Sequence, residues 1–212
     1  MSVTTRINSD DVAILLIDHQ SGLFQTVKDI DVTSLRNNVA TLAKIAAIEN
    51  IPVITTASEP NGPNGPIMPE IHKYAPHAVY VSRNGEINSW DTPAFVEAVK
   101  KTGKKKLIIA GVLTSVCVAF PAISAVTEGY DVFAVIDASG DMSPLSSQTT
   151  IARLSLAGVV PITTTAVCSE IQKTWNRPDA LKFAEAYSAV MPNYQAVIES
   201  FLKAEEVGAS KS

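Results

Sequence analysis

The alternation of short apolar runs with helical segments constrains the fold of this chain more than any other feature of its sequence. Val12 to Ile17 is continuously apolar and has the length of a strand. A strand without polar alternation is buried on both faces, as in a parallel sheet with helices on each side. Further strands are predicted at residues 51–57, 79–82, 107–110, 130–136 and 159–163.

Helical segments separate these strands. The segment 33–50 carries one apolar stripe, formed by Leu35, Val39, Leu42 and Ala46. A later helix begins with Pro93 in its first turn and is closed by Gly103. The repeated alternation predicts an α/β fold with three α/β/α layers and a six-stranded parallel sheet of the Rossmann-like kind.

Composition excludes several classes of function. The net charge of −4 and the pI of about 5.4 do not favour binding to nucleic acid or an acidic membrane. The basic run Lys104–Lys106 is interpreted as a solvated turn. Two cysteines are no disulfide framework, the apolar runs are too short to span a membrane, and the first residues lack a signal-peptide core. We therefore expect a cytoplasmic protein without membrane contact.

The length of 212 residues favours one main domain, predicted at 1–178. Residues 179–212 are predicted as a C-terminal helical extension whose apolar stripe includes Phe183, Val190, Val197 and Phe201. Amphipathic helices that follow a complete sheet often pack on a neighbour, so this extension is expected to form an oligomer contact.

Three chemically distinct side chains are expected at one edge of the sheet. Asp18 follows the first strand, Arg83 follows the third, and the fourth leads through a turn to Cys117 near the start of a helix. Ligands of open parallel sheets bind beyond the carboxyl ends of the strands. A helix N-terminus and Arg83 would lower the pKa of the thiol, and Asp18 could transfer its proton.

Each of these residues also has a structural interpretation when taken alone. A cysteine in an apolar helix is often a small buried hydrophobic residue. Asp18 could cap the turn after the strand, and Arg83 could be a surface or salt-bridge arginine. Their joint position gives the interpretation of Cys117 as a nucleophile the same weight as its interpretation as a buried structural residue.

The motifs at these positions resemble those of the isochorismatase-like hydrolase superfamily, and of its YcaC-like branch in particular. The similarity covers about residues 11–175. It rests on three motifs: Asp-His-Gln at Asp18–Gln20, Gly-Val-x-Thr-x-x-Cys-Val at Gly111–Val118, and Asp-Ala-Ser-Gly at Asp137–Gly140.

This resemblance implies a catalytic triad of Asp, Lys and Cys, with Asp18 as general base and acid and Cys117 as nucleophile. It implies a cis peptide between Val112 and Leu113, and an oxyanion hole formed by the backbone amides of Leu113 and Cys117. Arg83 occupies the position of the usual lysine. An arginine stays charged and cannot shuttle a proton, so proton transfer then rests on Asp18.

The resemblance also implies a pocket for a small-molecule substrate. Residues in loops expected to face the site are Gln20, Phe24, Glu59, Asn61, Asn88, Trp90 and Thr114. Trp90 could equally pack at a subunit contact. Nicotinamidases of this superfamily hold a metal with an Asp-x-His pair after the second strand, which this chain lacks, so no metal is predicted. No dinucleotide fingerprint or phosphate loop follows a strand, and no cofactor is predicted.

The predicted function is a cysteine hydrolase that cleaves a C–N bond of a small amide-type molecule through a Cys-bound acyl intermediate. The alternative is an oligomeric thiol sensor or scaffold without hydrolytic turnover. The YcaC-like branch forms ring-type homo-oligomers, so a closed assembly is expected, with an octamer among the candidates.

Overall fold

The structure, a computed structural model, describes residues 6–210. One six-stranded sheet forms its centre, and every strand in it runs parallel to its neighbours. The strand order is β3-β2-β1-β4-β5-β6. The strands are β1 Val12–Ile17, β2 Val53–Ala57, β3 Val79–Ser82, β4 Lys106–Gly111, β5 Asp131–Val135 and β6 Val160–Ile162. The predicted fold class is confirmed.

Helices connect the strands and cover both faces of the sheet. They are α1 Ser21–Phe24, α2 Val32–Ile48, α3 Glu70–Tyr74, α4 Pro93–Lys101, α5 Ala119–Thr127, α6 Pro144–Leu156, α7 Thr164–Gln172, α8 Ala180–Tyr187 and α9 Pro192–Ala209. The short helices α1 and α3 were not predicted. A single π-helical turn, Thr114–Val118, lies directly before α5.

Two hydrophobic cores lie on opposite faces of the sheet, because successive residues of a strand point to opposite sides. In the fully buried β1, Ile14 and Leu16 contribute to a first core shared with α2, α7 and α8. Leu15 and Ile17 contribute to a second core shared with α4 and α5. Burial on both faces explains the uninterrupted apolar sequence of β1.

The strand order creates a topological switch point between β1 and β4. The chain winds from β1 towards β3 on one side and from β4 towards β6 on the other. In such sheets the ligand crevice lies beyond the carboxyl ends of the strands at this point. Ile17 and Gly111 are paired there, and a Cβ atom on Gly111 would lie 2.5 Å from the carbonyl oxygen of Ile17.

The predicted C-terminal extension contains two dissimilar helices. α8 buries Phe183, Ala186 and Tyr187, and these belong to the first core. α9 has no buried residue. The boundary at residue 178 stays a prediction; residues 1–5 of the predicted domain and 211–212 of the extension lie outside the described residues. Within 6–210, no helix is long and apolar enough to cross a membrane.

Candidate active site

Asp18, Arg83 and Cys117 meet at the switch point of the sheet. Asp18 follows β1 with a positive φ of 57°, and Arg83 reaches it from the end of β3. The Arg83 Nη2 group donates to Oδ1 of Asp18, and the Cys117 side chain lies beside the same carboxylate, close enough for each group to influence the pKa of the other. All three are buried: Asp18 is 0 % exposed, Arg83 5 % and Cys117 9 %.

Arg83 also holds the chain that follows it. Its Nη1 group donates to the carbonyl oxygens of Glu86 and Ile87, at 3.0 and 3.4 Å. The guanidinium therefore connects the Asp18 carboxylate to the segment after β3. Asp18 Oδ2, Arg83 Nε and the Thr114 hydroxyl are buried without a hydrogen-bond partner among the described residues.

The turn that carries Cys117 is built around the Leu113 carbonyl. The Val112–Leu113 peptide is cis, as the resemblance implied. The amides of Val116, Cys117 and Val118 all donate to the Leu113 carbonyl oxygen, at 3.2, 2.8 and 3.3 Å. The Cys117 amide is therefore engaged within the turn, and the predicted oxyanion hole formed by the amides of Leu113 and Cys117 stays a prediction. The Leu113 backbone amide lies near the Cys117 sulfur and favours its thiolate form.

Burial sets the ionisation of this site. It raises the pKa of the Cys117 thiol well above its usual range, and the adjacent Asp18 charge raises it further. The Leu113 hydrogen bond and the Arg83 charge act in the opposite direction but do not prevail. The expected lowering of the thiol pKa is thus wrong, because the sulfur is nearly enclosed. Burial also raises the pKa of Asp18, against the opposing effect of Arg83.

The Asp-Ala-Ser-Gly motif holds the turn in place. Ser139 Oγ accepts a bond from the Gly111 amide at 3.2 Å, and the Gly140 carbonyl accepts one from Thr114 at 2.8 Å. The next residue, Asp141, was not singled out in the sequence. Its fully buried carboxylate accepts a hydrogen bond from the Ser115 amide at 2.8 Å. Its position directly after the Asp-Ala-Ser-Gly motif is the sequence signal by which Asp141 could have been found.

Of the predicted pocket residues, Gln20, Phe24 and Thr114 lie on segments adjoining the three central residues. Gln20 is fully buried, and its amide group bonds to both backbone groups of Ser58 at 2.9 Å and to the Gly65 carbonyl at 2.5 Å. Gln20 therefore positions the 58–66 loop, and its part in substrate binding stays a prediction. Phe24 is buried beside the His19 ring, with centroids 6.3 Å apart.

Trp90 packs in the second core, which corrects its predicted place in the pocket. Its indole N–H donates to Glu128 at 2.7 Å, and its ring meets those of Phe95 and Tyr130 edge-on. Asn88 accepts a hydrogen bond from the Trp90 amide at 3.1 Å. The side chain of Asn88 therefore stabilises this turn instead of facing a substrate.

Glu59 and Asn61 are exposed on the loop after β2. The Glu59 carboxylate lies close to Gly85, whose added Cβ atom would be 3.1 Å from it. Glu59 thus adjoins the segment that Arg83 holds, and the part of both residues in substrate binding stays a prediction.

His19 is an internal, neutral residue. Its Nε2 atom is 2.9 Å from the Ala138 carbonyl oxygen, and burial lowers its pKa to about 4. Across residues 6–210, no cluster of His, Cys, Asp or Glu has an arrangement that could hold a metal ion.

Comparison with known proteins gives the family context of this site. A family model described as the isochorismatase domain matches residues 12–166. The Escherichia coli K12 protein named "Probable hydrolase YcaC" is 45 % identical over 196 residues, covering 92 % of this chain and 94 % of that protein.

Two solved structures are similar over nearly their whole length. The E. coli YcaC structure, described as an octameric hydrolase of unknown specificity, has a TM-score of 0.91 at 44 % identity and covers 96 % of this chain and 99 % of its own. Pseudomonas aeruginosa YcaC, with hexane-2,5-diol and covalent acrylamide, has a TM-score of 0.90 at 44 % identity, covering 95 % and 99 %.

Proposed function

The chain belongs to the isochorismatase family of hydrolases, and on that premise we propose that it cleaves a C–N bond of a small amide-type molecule through a Cys117-bound acyl intermediate. One observation carries this proposal. A thiol, a carboxylate and a guanidinium share one buried, hydrogen-bonded cluster at the switch point of the sheet.

The raised pKa of the Cys117 thiol bears on when the proton leaves the sulfur. Cys117 rests as a thiol, so its proton must leave as the sulfur attacks. The Asp18 carboxylate accepts this proton while the S–C bond forms and the carbonyl π electrons move to oxygen. The Leu113 amide, which lies near the sulfur, stabilises the resulting oxyanion.

The second half of the reaction returns the enzyme to its starting state. When the tetrahedral intermediate collapses, the C–N bond breaks and Asp18 gives its proton to the leaving nitrogen. Water then adds to the thioester with Asp18 as base, the C–S bond breaks, and the sulfur regains a proton. Arg83 keeps its own proton throughout and holds the carboxylate in position.

The covalent acrylamide in P. aeruginosa YcaC supports a reactive nucleophile in this branch. Acrylamide is an electrophile that thiols attack, and we assign the corresponding reactivity here to Cys117. The Asp18 carboxylate beside the thiol supplies a proton acceptor for nucleophilic attack by the sulfur. A redox-sensing cysteine needs no such base, so this pairing favours the hydrolase over the alternative thiol sensor.

We also propose that the protein works as a closed homo-oligomer, as the E. coli YcaC structure, described as an octamer, does. Its two cysteines are free thiols, which fits a reducing compartment such as the cytoplasm.

The test is a screen of small primary and secondary amides with the wild type, Cys117→Ala and Cys168→Ala. Cys168, a fully buried cysteine on α7, serves as the matched control. We expect Cys168→Ala to keep the wild-type activity and Cys117→Ala to lose it by about a thousandfold or more. Turnover of any hydrolysed amide by Cys117→Ala at the wild-type rate contradicts the nucleophile assignment.

Mass spectrometry separates hydrolysis from sensing. We expect acyl transfer to Cys117 during amide turnover, and slow alkylation by iodoacetamide that accelerates only at high pH. Rapid alkylation of Cys117 at neutral pH, without turnover of any amide, would instead support the sensor.

A further inference from the structure

The backbone amides of the π-helical turn Thr114–Val118 are all held by hydrogen bonds. Three of them converge on the carbonyl oxygen directly before the turn, and the Thr114 amide donates to the Gly140 carbonyl oxygen. The Ser115 amide is the exception, because it donates to a side chain, the Asp141 carboxylate, at 2.8 Å. Among the described residues, Asp141 is therefore the one side chain whose replacement removes the partner of an amide in this turn.

The Asp141 carboxylate is fully buried, and no described residue forms an ion pair with it. Three hydrogen-bond donors take the place of a cation. The Ser115 amide donates to Oδ2, and the Met142 amide and the Ser146 hydroxyl group donate to Oδ1 at 2.8 and 2.9 Å. A buried charge needs such partners, and because both oxygens have them, the orientation of the carboxylate is fixed.

The backbone of Asp141 is fixed as well as its side chain. Its amide donates to Oδ1 of Asp29 at 2.7 Å, and its carbonyl oxygen accepts a hydrogen bond from the Lys28 amide at 2.8 Å. These partners belong to the segment between α1 and α2. The same segment packs closely on Gly140, where an added Cβ atom would lie 2.8 Å from Cγ2 of Val27. Asp141 thus connects the turn that carries the thiol to a well-packed part of the fold.

Asp141 is not the cap of the helix that follows it. α6 begins at Pro144, and its N-cap is Ser143, whose hydroxyl oxygen accepts a hydrogen bond from the Ser146 amide at 3.1 Å. Asp141 reaches only the hydroxyl group of Ser146. Capping of α6 therefore does not depend on Asp141, and the bond to the Ser115 amide is its contact with the active-site turn.

We propose that Asp141 is a positioning residue for the nucleophile. By fixing the Ser115 amide it holds the turn in place, and it thereby keeps the Cys117 sulfur beside the Asp18 carboxylate. Asp141 acts through the backbone, because its carboxylate forms no hydrogen bond with Cys117 or Asp18 in the described part of the chain. A displacement of about 1 Å can lower a catalytic rate about a hundredfold. This inference rests on the proposed hydrolase function and adds one residue to it.

The test measures the reaction of both cysteines with iodoacetamide at neutral pH in the wild type, Asp141→Ala and Ser143→Ala. Asp141→Ala removes the partner of the Ser115 amide, and Ser143→Ala is the matched control because it weakens the start of α6 without touching the carboxylate. We expect Asp141→Ala to accelerate the alkylation of Cys117 about tenfold, because an opened turn exposes the sulfur and favours its thiolate. Alkylation of Cys168, and of both cysteines in Ser143→Ala, should keep the wild-type rate.

Amide turnover should change in the opposite direction. With an amide that the wild type hydrolyses, we expect Asp141→Ala to lower kcat about tenfold or more and to leave KM within about twofold, because the sulfur is displaced while the rest of the pocket is kept. A merely structural role predicts a different pattern, since loosening of the whole fold would expose the fully buried Cys168 as well.

Asp141→Ser is the second variant, in case the alanine variant does not fold. Its hydroxyl oxygen is one bond nearer to the backbone and does not reach the Ser115 amide, so the same pattern is expected. Equal acceleration at Cys117 and Cys168, or wild-type alkylation and turnover in the folded variant, overturns the positioning role. A wild type that hydrolyses no amide contradicts the proposed function instead, while the alkylation rates still test the position of the thiol.

Discussion

Arg83 performs two tasks that a lysine in its place could not combine. Its guanidinium donates both to Asp18 and to the carbonyls of Glu86 and Ile87. A single ammonium group can reach one of these sites while the other loses its partner. We expect Arg83→Lys to lower the free energy of unfolding by about 1–3 kcal/mol, the cost of an unsatisfied buried group. Amide turnover should fall about tenfold as the carboxylate loses its fixed position.

Urea unfolding and steady-state kinetics measure the two effects. Arg153→Lys is a suitable control, because Arg153 is an exposed residue of α6 that contacts none of the three central residues through any hydrogen bond or ion pair among the described residues. An Arg83→Lys enzyme that matched the wild type in both measurements would show that a point charge alone is sufficient.

His19 makes stability depend on pH. Burial lowers its folded-state pKa to about 4, below the ordinary value of 6.5. A lowered pKa stabilises the folded protein above pH 6.5, and this contribution is lost as the pH falls towards 4. The difference corresponds to about 3 kcal/mol. We expect His19→Gln to flatten the dependence of unfolding free energy on pH across this interval.

The comparison is made by chemical denaturation at several pH values between 6.5 and 4. Asp18, whose raised pKa acts in the opposite direction, is present in both proteins, so its contribution cancels. His72→Gln removes a histidine outside the core and should leave the slope unchanged. Equal slopes for the wild type and His19→Gln would mean that His19 titrates normally in the folded state.

At the scale of single residues, the sequence was sufficient to identify site residues whose placement follows from their position along the chain. Asp18, Arg83 and Cys117 could be found because they follow strands whose ends meet at one edge. The direction of the pKa shift of the Cys117 thiol could not be predicted, because it depends on how completely neighbouring segments enclose the sulfur. The environment of Trp90 could not be predicted either, because it is formed by α5 and Glu128, which are distant from Trp90 in sequence.

Among the elements, the short helix α1 fixes the loop that follows β2. The Gly22 amide donates to the Asn64 carbonyl oxygen at 2.8 Å, and a Cβ atom on Gly22 would lie 2.0 Å from the Pro63 carbonyl oxygen. We expect Gly22→Ala to push the loop away and to lower the free energy of unfolding by about 1–3 kcal/mol, the usual cost of overpacking. Thermal unfolding measures this loss.

Gly208→Ala is the matched control for that substitution. An added Cβ atom at Gly208 meets no atom within 4 Å, and the residue lies in α9. Alanine there should be neutral or stabilise the helix by about 0.5–1 kcal/mol. Similar effects of the two substitutions would argue against a tight contact between α1 and the loop.

The elements differ in how far sequence could predict them. β1 is apolar throughout and β4 is apolar after Lys106 because both faces are covered, and this local signal located both strands within one residue. The π-helical turn at Thr114–Val118 has no such signal, since it depends on the Leu113 carbonyl collecting three amides and on support from Asp141. Helix α3 was hidden by the proline-rich segment before it.

At the scale of the whole molecule, the two cores account for nearly all elements except α9. The sheet buries apolar residues on both faces, and α8 closes the first core through Phe183. α9 lies outside this arrangement and leaves its apolar side chains exposed. Sequence predicted an amphipathic extension there, and its part in an oligomer contact stays a prediction.

The exposed stripe of α9 predicts that thermal stability depends on protein concentration. Assembly stabilises the folded state by mass action, because the unfolded chain cannot form the contact. For a chain of this size, a hundredfold increase in concentration should raise the Tm by about 5 °C or more. Phe201→Glu should abolish this dependence while keeping a cooperative transition, and Leu156→Glu should retain it. Differential scanning fluorimetry over a dilution series measures the effect. A wild-type Tm that does not change with concentration would show that the single chain is stable without any contact through α9.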